Sequence, residues 1–121
     1  MIRIGRGISR GAVRDAVAEG DVTTVIYDDV LEAHDIRETL AGIREAGMPR
    51  AATALLGWLA SHPNTPEDAL RELFANGWRE VLVSLAMNRQ LPEDLRRALL
   101  EHADPDVREH AQHTFTRPRP H

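Results

Sequence analysis

The second half of the chain repeats itself at an interval of about 26 residues, within the range that is typical of stacked helix pairs. A shift by this repeat interval places Pro66-Glu67-Asp68 on Pro92-Glu93-Asp94 and Arg71 on Arg97. The same shift superposes apolar residues, namely Leu59 on Leu85, Leu73 on Leu99, and Leu55, Val81 and Val107 on one another. Helix pairs stack in this way because a single pair cannot bury its apolar face alone. The repeat therefore predicts an all-α fold, a short right-handed α-solenoid.

Apolar residues at helical spacing and helix-breaking residues between them predict the individual helices. We expect helices over about 49–60, 66–76, 78–88 and 92–100. A weaker fifth helix is predicted to begin at Asp104-Pro105. Thr65 precedes Pro66 and is the predicted N-cap of the second of these helices, since a threonine hydroxyl can accept from a first-turn N–H.

The first half of the chain is compositionally different. Residues 9–19 predict one helix, and a capping-box spacing of Asp35 and Glu38 predicts another that ends at Gly47. Residues 22–27 are rich in β-branched side chains and so allow a strand, but they also fit one helical face. An isolated strand would leave unpaired edges, and helix is therefore favoured. We divide the chain into an N-terminal helical cap (1–47), helical repeats (48–115) and a flexible tail (116–121).

Charge and cysteine content restrict the classes of function. The chain has no cysteine, which excludes thiolate zinc sites, iron–sulfur clusters and cysteine nucleophiles. Its net charge is −4, a poor match for a nucleic-acid backbone. A basic patch is offered only by the N-terminal arginines, which are Arg3, Arg6, Arg10 and Arg14. No apolar stretch is long enough to span a membrane, and a soluble cytoplasmic protein is expected.

Residues 81–114 resemble a known repeat family. The stretch contains Leu85-Ala86-Met87-Asn88, then Pro92, and then Asp104-Pro105-Asp106-Val107-Arg108. In this order the residues resemble the leucine-rich repeat variant, a bacterial relative of HEAT-type helical repeats. The resemblance covers about residues 50–115 and implies HEAT-like helix pairs that serve as an interaction surface. The last unit departs from the family pattern at Ala111 and Gln112.

Two oppositely charged pairs recur at the repeat interval. Glu67 and Arg71, like Glu93 and Arg97, are four residues apart on predicted helices. Such pairs are usually solvated and stabilise their own helix. Stacked at the repeat interval, they would alternatively line a face of alternating charge that binds a partner. These four residues are the predicted partner-binding residues.

Other chemistry-bearing residues give weaker signals. His102, His110 and His113 could hold a metal ion, but a polar terminal helix is expected to expose such side chains. The acidic cluster of Asp28, Asp29, Glu32 and Asp35 predicts an exposed acidic face. Neither a metal nor a cofactor is expected.

The sequence thus favours a non-catalytic interaction module over an enzyme. In this hypothesis the helical repeats bind a protein partner, or the chain acts as an accessory subunit. The alternative is nucleic-acid binding through the N-terminal arginines and the concave face of the repeats. Self-association also stays open, whereas a membrane partner is not expected.

Overall fold

The computed structural model describes residues 2–20, 24–26 and 31–115, and this part of the chain is predominantly helical. The α-helices are α1 (Arg10–Ala18), α2 (Ala33–Glu45), α3 (Thr53–Ser61), α4 (Glu67–Asn76), α5 (Arg79–Leu85), α6 (Glu93–Leu100) and α7 (Pro105–Phe115). A 3-10 turn, Arg50–Ala52, leads into α3. None of the helices in these ranges is both long and apolar enough to cross a membrane.

A short parallel pair of strands replaces one of the expected helices. Strand β1 (Ile2–Ile4) pairs with β2 (Thr24–Ile26), and Arg3 lies opposite Val25. The expectation of helix over residues 22–27 is therefore wrong for Thr24–Ile26. It rested on the lack of a pairing partner, but α1 forms the crossover that a parallel pair requires and so places β1 beside β2.

Helices α1 and α2 pack closely against each other. The Ser9 side chain caps α1 by accepting a hydrogen bond from the Ala12 N–H at 3.2 Å. Val13 of α1 is buried, and Gly42 of α2 lies directly against it. The glycine allows this contact because a Cβ atom at Gly42 would lie 2.6 Å from the Val13 Cβ atom.

Helix α2 begins earlier than its predicted capping box. Its N-cap is Glu32, so that Asp35 occupies the third helical position and is not itself the cap. The helix ends as expected before Gly47, which adopts a left-handed φ of 92°. The predicted pairing of Asp35 with Glu38 is therefore wrong, because the Asp35 carboxylate turns back to the Glu32 N–H.

The remaining helices begin at the repeat interval seen in the sequence. Thr53, Arg79 and Pro105 open α3, α5 and α7 at this spacing, and Glu67 and Glu93 open α4 and α6 at the same spacing. Helix α5 packs against both α3 and α7, while α4 contacts α5 and α6 contacts α7. Leucines at equivalent positions are buried as predicted, with Leu73 1% and Leu99 0% exposed.

Two details of these helices differ from expectation. The fifth helix, expected to be weak, is α7 and runs for 11 residues. Thr65 is not the N-cap of α4, because that position belongs to Pro66 and the Thr65 hydroxyl donates instead to the Leu59 carbonyl. The predicted tail, 116–121, lies outside the described residues.

Buried polar side chains fix the turns between helices. Asn88 donates to the carbonyls of Ala60, at 2.9 Å, and His62, at 3.2 Å, and accepts from the Gln90 N–H. His62 lies one repeat interval before Asn88, and its Nδ1 atom accepts from the Asn64 N–H at 3.0 Å. An imidazole and an amide thus hold equivalent turns in the same way, each accepting from the N–H two residues later.

Candidate interaction surface

The predicted pair Glu67 and Arg71 lies on an exposed face of α4. Arg71 donates from Nε to the Glu67 carboxylate at 3.2 Å. Its two terminal nitrogens donate to the two carboxylate oxygens of Asp94 on α6, at 2.8 and 3.1 Å. These hydrogen bonds raise the pKa of Arg71 and lower the pKa of Asp94. Arg71 therefore links α4 to α6, and its guanidinium group is already engaged by carboxylates of this chain.

A second bond of the same kind joins α2 to α4. Arg37 donates from Nε and Nη2 to the carboxylate of Asp68, at 3.0 and 2.9 Å. The paired hydrogen bonds raise the pKa of Arg37 and lower the pKa of Asp68. Together, the Arg37–Asp68 and Arg71–Asp94 bonds form a series that we call the first ladder. It runs along one side of the molecule from α2 to α6.

A second series of ion pairs, the second ladder, lies on α5, on α7 and on the turn before α3. Arg50 lies 3.1 Å from the Glu80 carboxylate, and its guanidinium stacks over the Trp78 ring at 4.4 Å. Arg79 pairs with Asp104 at 2.9 Å and also with Asp106. The pKa of Glu80 is lowered, chiefly by a hydrogen bond from its own backbone N–H and then by Arg50. This ladder links the turn before α3 to α5, and α5 to α7.

The predicted pair Glu93 and Arg97 stands at the end of the first ladder. Its single ion pair is 3.4 Å long and lies within α6, and the two side chains are 81% and 69% exposed. Both residues line a shallow depression of about 300 Å³ that we call the C-terminal groove. Its lining residues are Glu93, Arg96, Arg97, Leu100 and Phe115. The four predicted residues therefore lie in two different settings.

Two of the four N-terminal arginines, Arg10 and Arg14, are paired with carboxylates within the molecule. Arg10 pairs with Glu38 at 2.7 Å and approaches Glu45 at 3.5 Å. Arg14 pairs with Asp15 at 3.0 Å and approaches Glu45 at 3.4 Å. The hydrogen bond to Glu38 raises the pKa of Arg10, and the one to Asp15 raises the pKa of Arg14. Arg6 also has an interaction within the chain, whereas the Arg3 side chain lies outside the described part.

The C-terminal histidines do not come together. The Nδ1 atom of His102 accepts from the Asp104 N–H at 3.0 Å, and Nδ1 of His110 contacts the Asp106 carbonyl at 2.7 Å. Within the described ranges, no group of three or more metal-ligating side chains is arranged to hold an ion. The acidic residues do not form one exposed face either, because Asp35 is buried whereas Glu32 is exposed. Asp28 and Asp29 lie outside the described residues.

Sequence reasoning missed the acceptors of the ladders. Asp68 and Asp94 carry a visible signal, since they are equivalent residues in the two Pro-Glu-Asp motifs. Their arginine partners lie 31 and 23 residues earlier. Neither separation places two side chains together on one helix, and the pairing depends on how adjacent helices pack.

Comparison with known proteins provides no family assignment. A scan against protein-family models, a search of curated proteins and a search of solved structures each found no match to this chain.

Proposed function

We propose that this chain is a non-catalytic interaction module in which helices α3–α7 form a short solenoid of helix pairs that binds a protein partner. The observation that carries the proposal is the constant repeat interval between the starts of equivalent helices. Equivalent residues of successive units hold equivalent contacts, as His62 and Asn88 do in their turns. Stacked units of this kind present continuous rows of side chains, which repeat proteins use to bind other proteins.

The distribution of charge supports a polar binding surface on α4 and α6. The ladders place arginines and carboxylates in alternation along the exposed sides of the helices. A surface of alternating charge favours a partner whose own charges alternate in a complementary order. A partner of uniform charge would meet like charges at some positions, and each such contact would oppose binding. We assign the predicted residues Glu67, Arg71, Glu93 and Arg97 to this surface.

An unbiased selection tests the proposal. The purified chain is immobilised and presented with a phage-displayed library of random helical peptides, and the same library is passed over an unrelated helical protein of similar charge. We expect peptides that bind only this chain, with saturable one-to-one binding in calorimetry. Hydrogen exchange in the complex should show protection in α4 or α6.

Two results would contradict the proposal. One is a selection that returns only peptides shared with the unrelated protein. The other is specific binding that protects α1 and leaves α4 and α6 unchanged, since that would place the binding surface in the N-terminal segment.

A further inference from the structure

Arg97 occupies in α6 the position that Arg71 occupies in α4, one repeat interval earlier. Arg71 holds Asp94, a first-turn carboxylate of α6, which is the equivalent helix one repeat interval later. By the same geometry, Arg97 is placed to hold a first-turn carboxylate of a helix that would follow α6. The residue one repeat interval after Asp94 is Pro120, so the chain itself has no carboxylate at the corresponding position.

The chemistry of the C-terminal groove fits an acidic and amphipathic occupant. Arg96 donates from Nε to the Leu91 carbonyl at 2.8 Å, and its guanidinium lies 6.0 Å from the centre of the Phe115 ring. It has no carboxylate partner among the described residues, and Leu70, one repeat interval earlier, is buried and apolar. The groove thus contains two guanidinium groups and one carboxylate beside the partly buried apolar side chains of Leu100 and Phe115.

A second copy of this chain is a poorer source of this acid than a different protein. In the described residues, the first-turn carboxylates outside the groove are already engaged, namely those of Asp35, Glu67, Asp68, Glu80, Asp94 and Asp106. Docking a folded second copy through any of them would break an existing contact. The complementary charge is therefore assigned to a different protein.

We infer that the C-terminal groove docks an amphipathic helix of a partner protein, with carboxylates in its first turn, in the position that the next helix of the stack would take. Arg97 and Arg96 bind the carboxylates, while Leu100 and Phe115 pack against the apolar side of the helix. The inference rests on the proposed function and names the class of partner.

The probe is a fluorescein-labelled peptide that copies residues 91–101, the segment that meets Arg71 within the chain. Because so short a helix is marginal in water, the peptide carries a hydrocarbon staple on its polar side. A control peptide has glutamine and asparagine in place of its glutamate and aspartate at the positions of Glu93 and Asp94. Binding to the full chain is measured by fluorescence anisotropy.

Arg97→Glu is the test variant and Arg89→Glu is its matched control. Arg89 is an exposed arginine outside the groove with no ion-pair partner in the described part of the chain, so both variants change the net charge equally. We expect saturable binding to the wild type and to Arg89→Glu, and binding at least about tenfold weaker for Arg97→Glu and for the control peptide. A peptide with arginines at the two acidic positions should bind Arg97→Glu better than it binds the wild type.

The outcomes separate the inference from the proposed function. If Arg97→Glu and Arg89→Glu weakened peptide binding equally, the effect would be due to net charge alone, and the inference would be overturned. Absence of peptide binding would overturn it too, and so would a dimer in sedimentation velocity that Arg97→Glu dissociates, because the occupant would then be a second copy. The proposed function survives all three results if the random-peptide selection still yields specific binders. An unchanged unfolding midpoint for Arg97→Glu shows that the variant is folded.

Discussion

A single buried carboxylate ties the N-terminal segment to the helices. Asp35 is 4% exposed, and its two oxygens accept from the Gly7 N–H at 2.9 Å and the Glu32 N–H at 3.1 Å. The first contact spans 28 residues and holds the turn before α1 against the start of α2. A carboxylate in the first turn of a helix is also favoured by the helix dipole. Asp35 is therefore a structural residue of the cap and not part of an exposed acidic face.

We predict that Asp35→Ala lowers the free energy of unfolding by about 2–3 kcal/mol, since two charge-assisted hydrogen bonds are lost and the Gly7 N–H is left without its acceptor. Asp35→Asn should cost less, because its amide oxygen can still accept from one N–H. Urea unfolding at neutral pH measures both. Glu19→Ala, at an exposed carboxylate, is the control and should change stability by less than about 0.5 kcal/mol. A loss for Asp35→Ala no larger than that of the control would refute this role.

At the scale of the elements, the contact between α1 and α2 depends on Gly42, which has no side chain. A Cβ atom at Gly42 would lie 2.6 Å from both the Arg10 carbonyl oxygen and the Val13 Cβ atom. The two helices can therefore approach as they do only with glycine at this position. Gly11 on α1 differs, because its nearest neighbour would be the end of the Arg14 side chain at 3.6 Å.

The same substitution should have opposite effects at these two glycines. Gly42→Ala gains up to about 1 kcal/mol in helix propensity but forces the helices apart, and we expect a net destabilisation of about 1–3 kcal/mol. Gly11→Ala should stabilise the protein by about 0.5–1 kcal/mol, since helix propensity improves without a clash. Thermal and urea unfolding of both variants test this pair. A stabilised Gly42→Ala would mean that α1 and α2 are not packed this closely.

The first ladder connects stability to pH. The hydrogen bonds from Arg37 and Arg71 lower the pKa of Asp68 and of Asp94 in the folded protein. A carboxyl group with a lowered folded-state pKa contributes stability that is present above its unfolded pKa, about 3.9, and is lost as the pH falls through the folded pKa.

We therefore expect the double variant Asp68→Asn/Asp94→Asn to be less stable than the wild type at pH 7. The difference between the two proteins should shrink as the pH falls below about 4, because the wild-type carboxylates then become protonated as well. Urea midpoints across this range measure the difference, and added salt should also reduce it at pH 7. A gap of the same size at low and neutral pH would show that the ladder contributes no pH-dependent stability.

At the scale of the whole molecule, arginines and carboxylates of the described residues are paired locally. The two ladders pair arginines with carboxylates between successive helices, and Arg10 and Arg14 are paired at the N-terminal end. With a net charge of −4, the chain has little to attract a polyanion. The alternative function, nucleic-acid binding, would require these arginines to exchange their carboxylate partners for phosphates.

We predict no salt-sensitive DNA binding above background at about 0.15 M salt. Fluorescence anisotropy with a labelled duplex across a salt series provides the measurement, and an unrelated acidic protein sets the background. Submicromolar affinity that disappears when Arg6, Arg10 and Arg14 are replaced together would reverse the ranking and make nucleic-acid binding the leading function.

The sequence by itself determined helices α1–α7 and the faces that they bury. Apolar spacing, prolines and glycines act within a few residues, so the predicted helices and the burial of Leu73 and Leu99 required no knowledge of the fold. The interval between equivalent helices was likewise visible as a repeat. The pairs Glu67–Arg71 and Glu93–Arg97 were predictable because each lies within one helix.

Only the tertiary structure decided which distant residues meet. Strand β2 depends on β1 at the other end of the crossover, and Asp35 is buried by its contact with Gly7. Arg71 and Arg97 are equivalent in sequence, yet the first meets Asp94 on a neighbouring helix and the second, among the described residues, pairs with Glu93 of its own helix. The physical reason is the same in each case: contacts between elements depend on the positions and separation of packed helices, which local residue patterns do not specify.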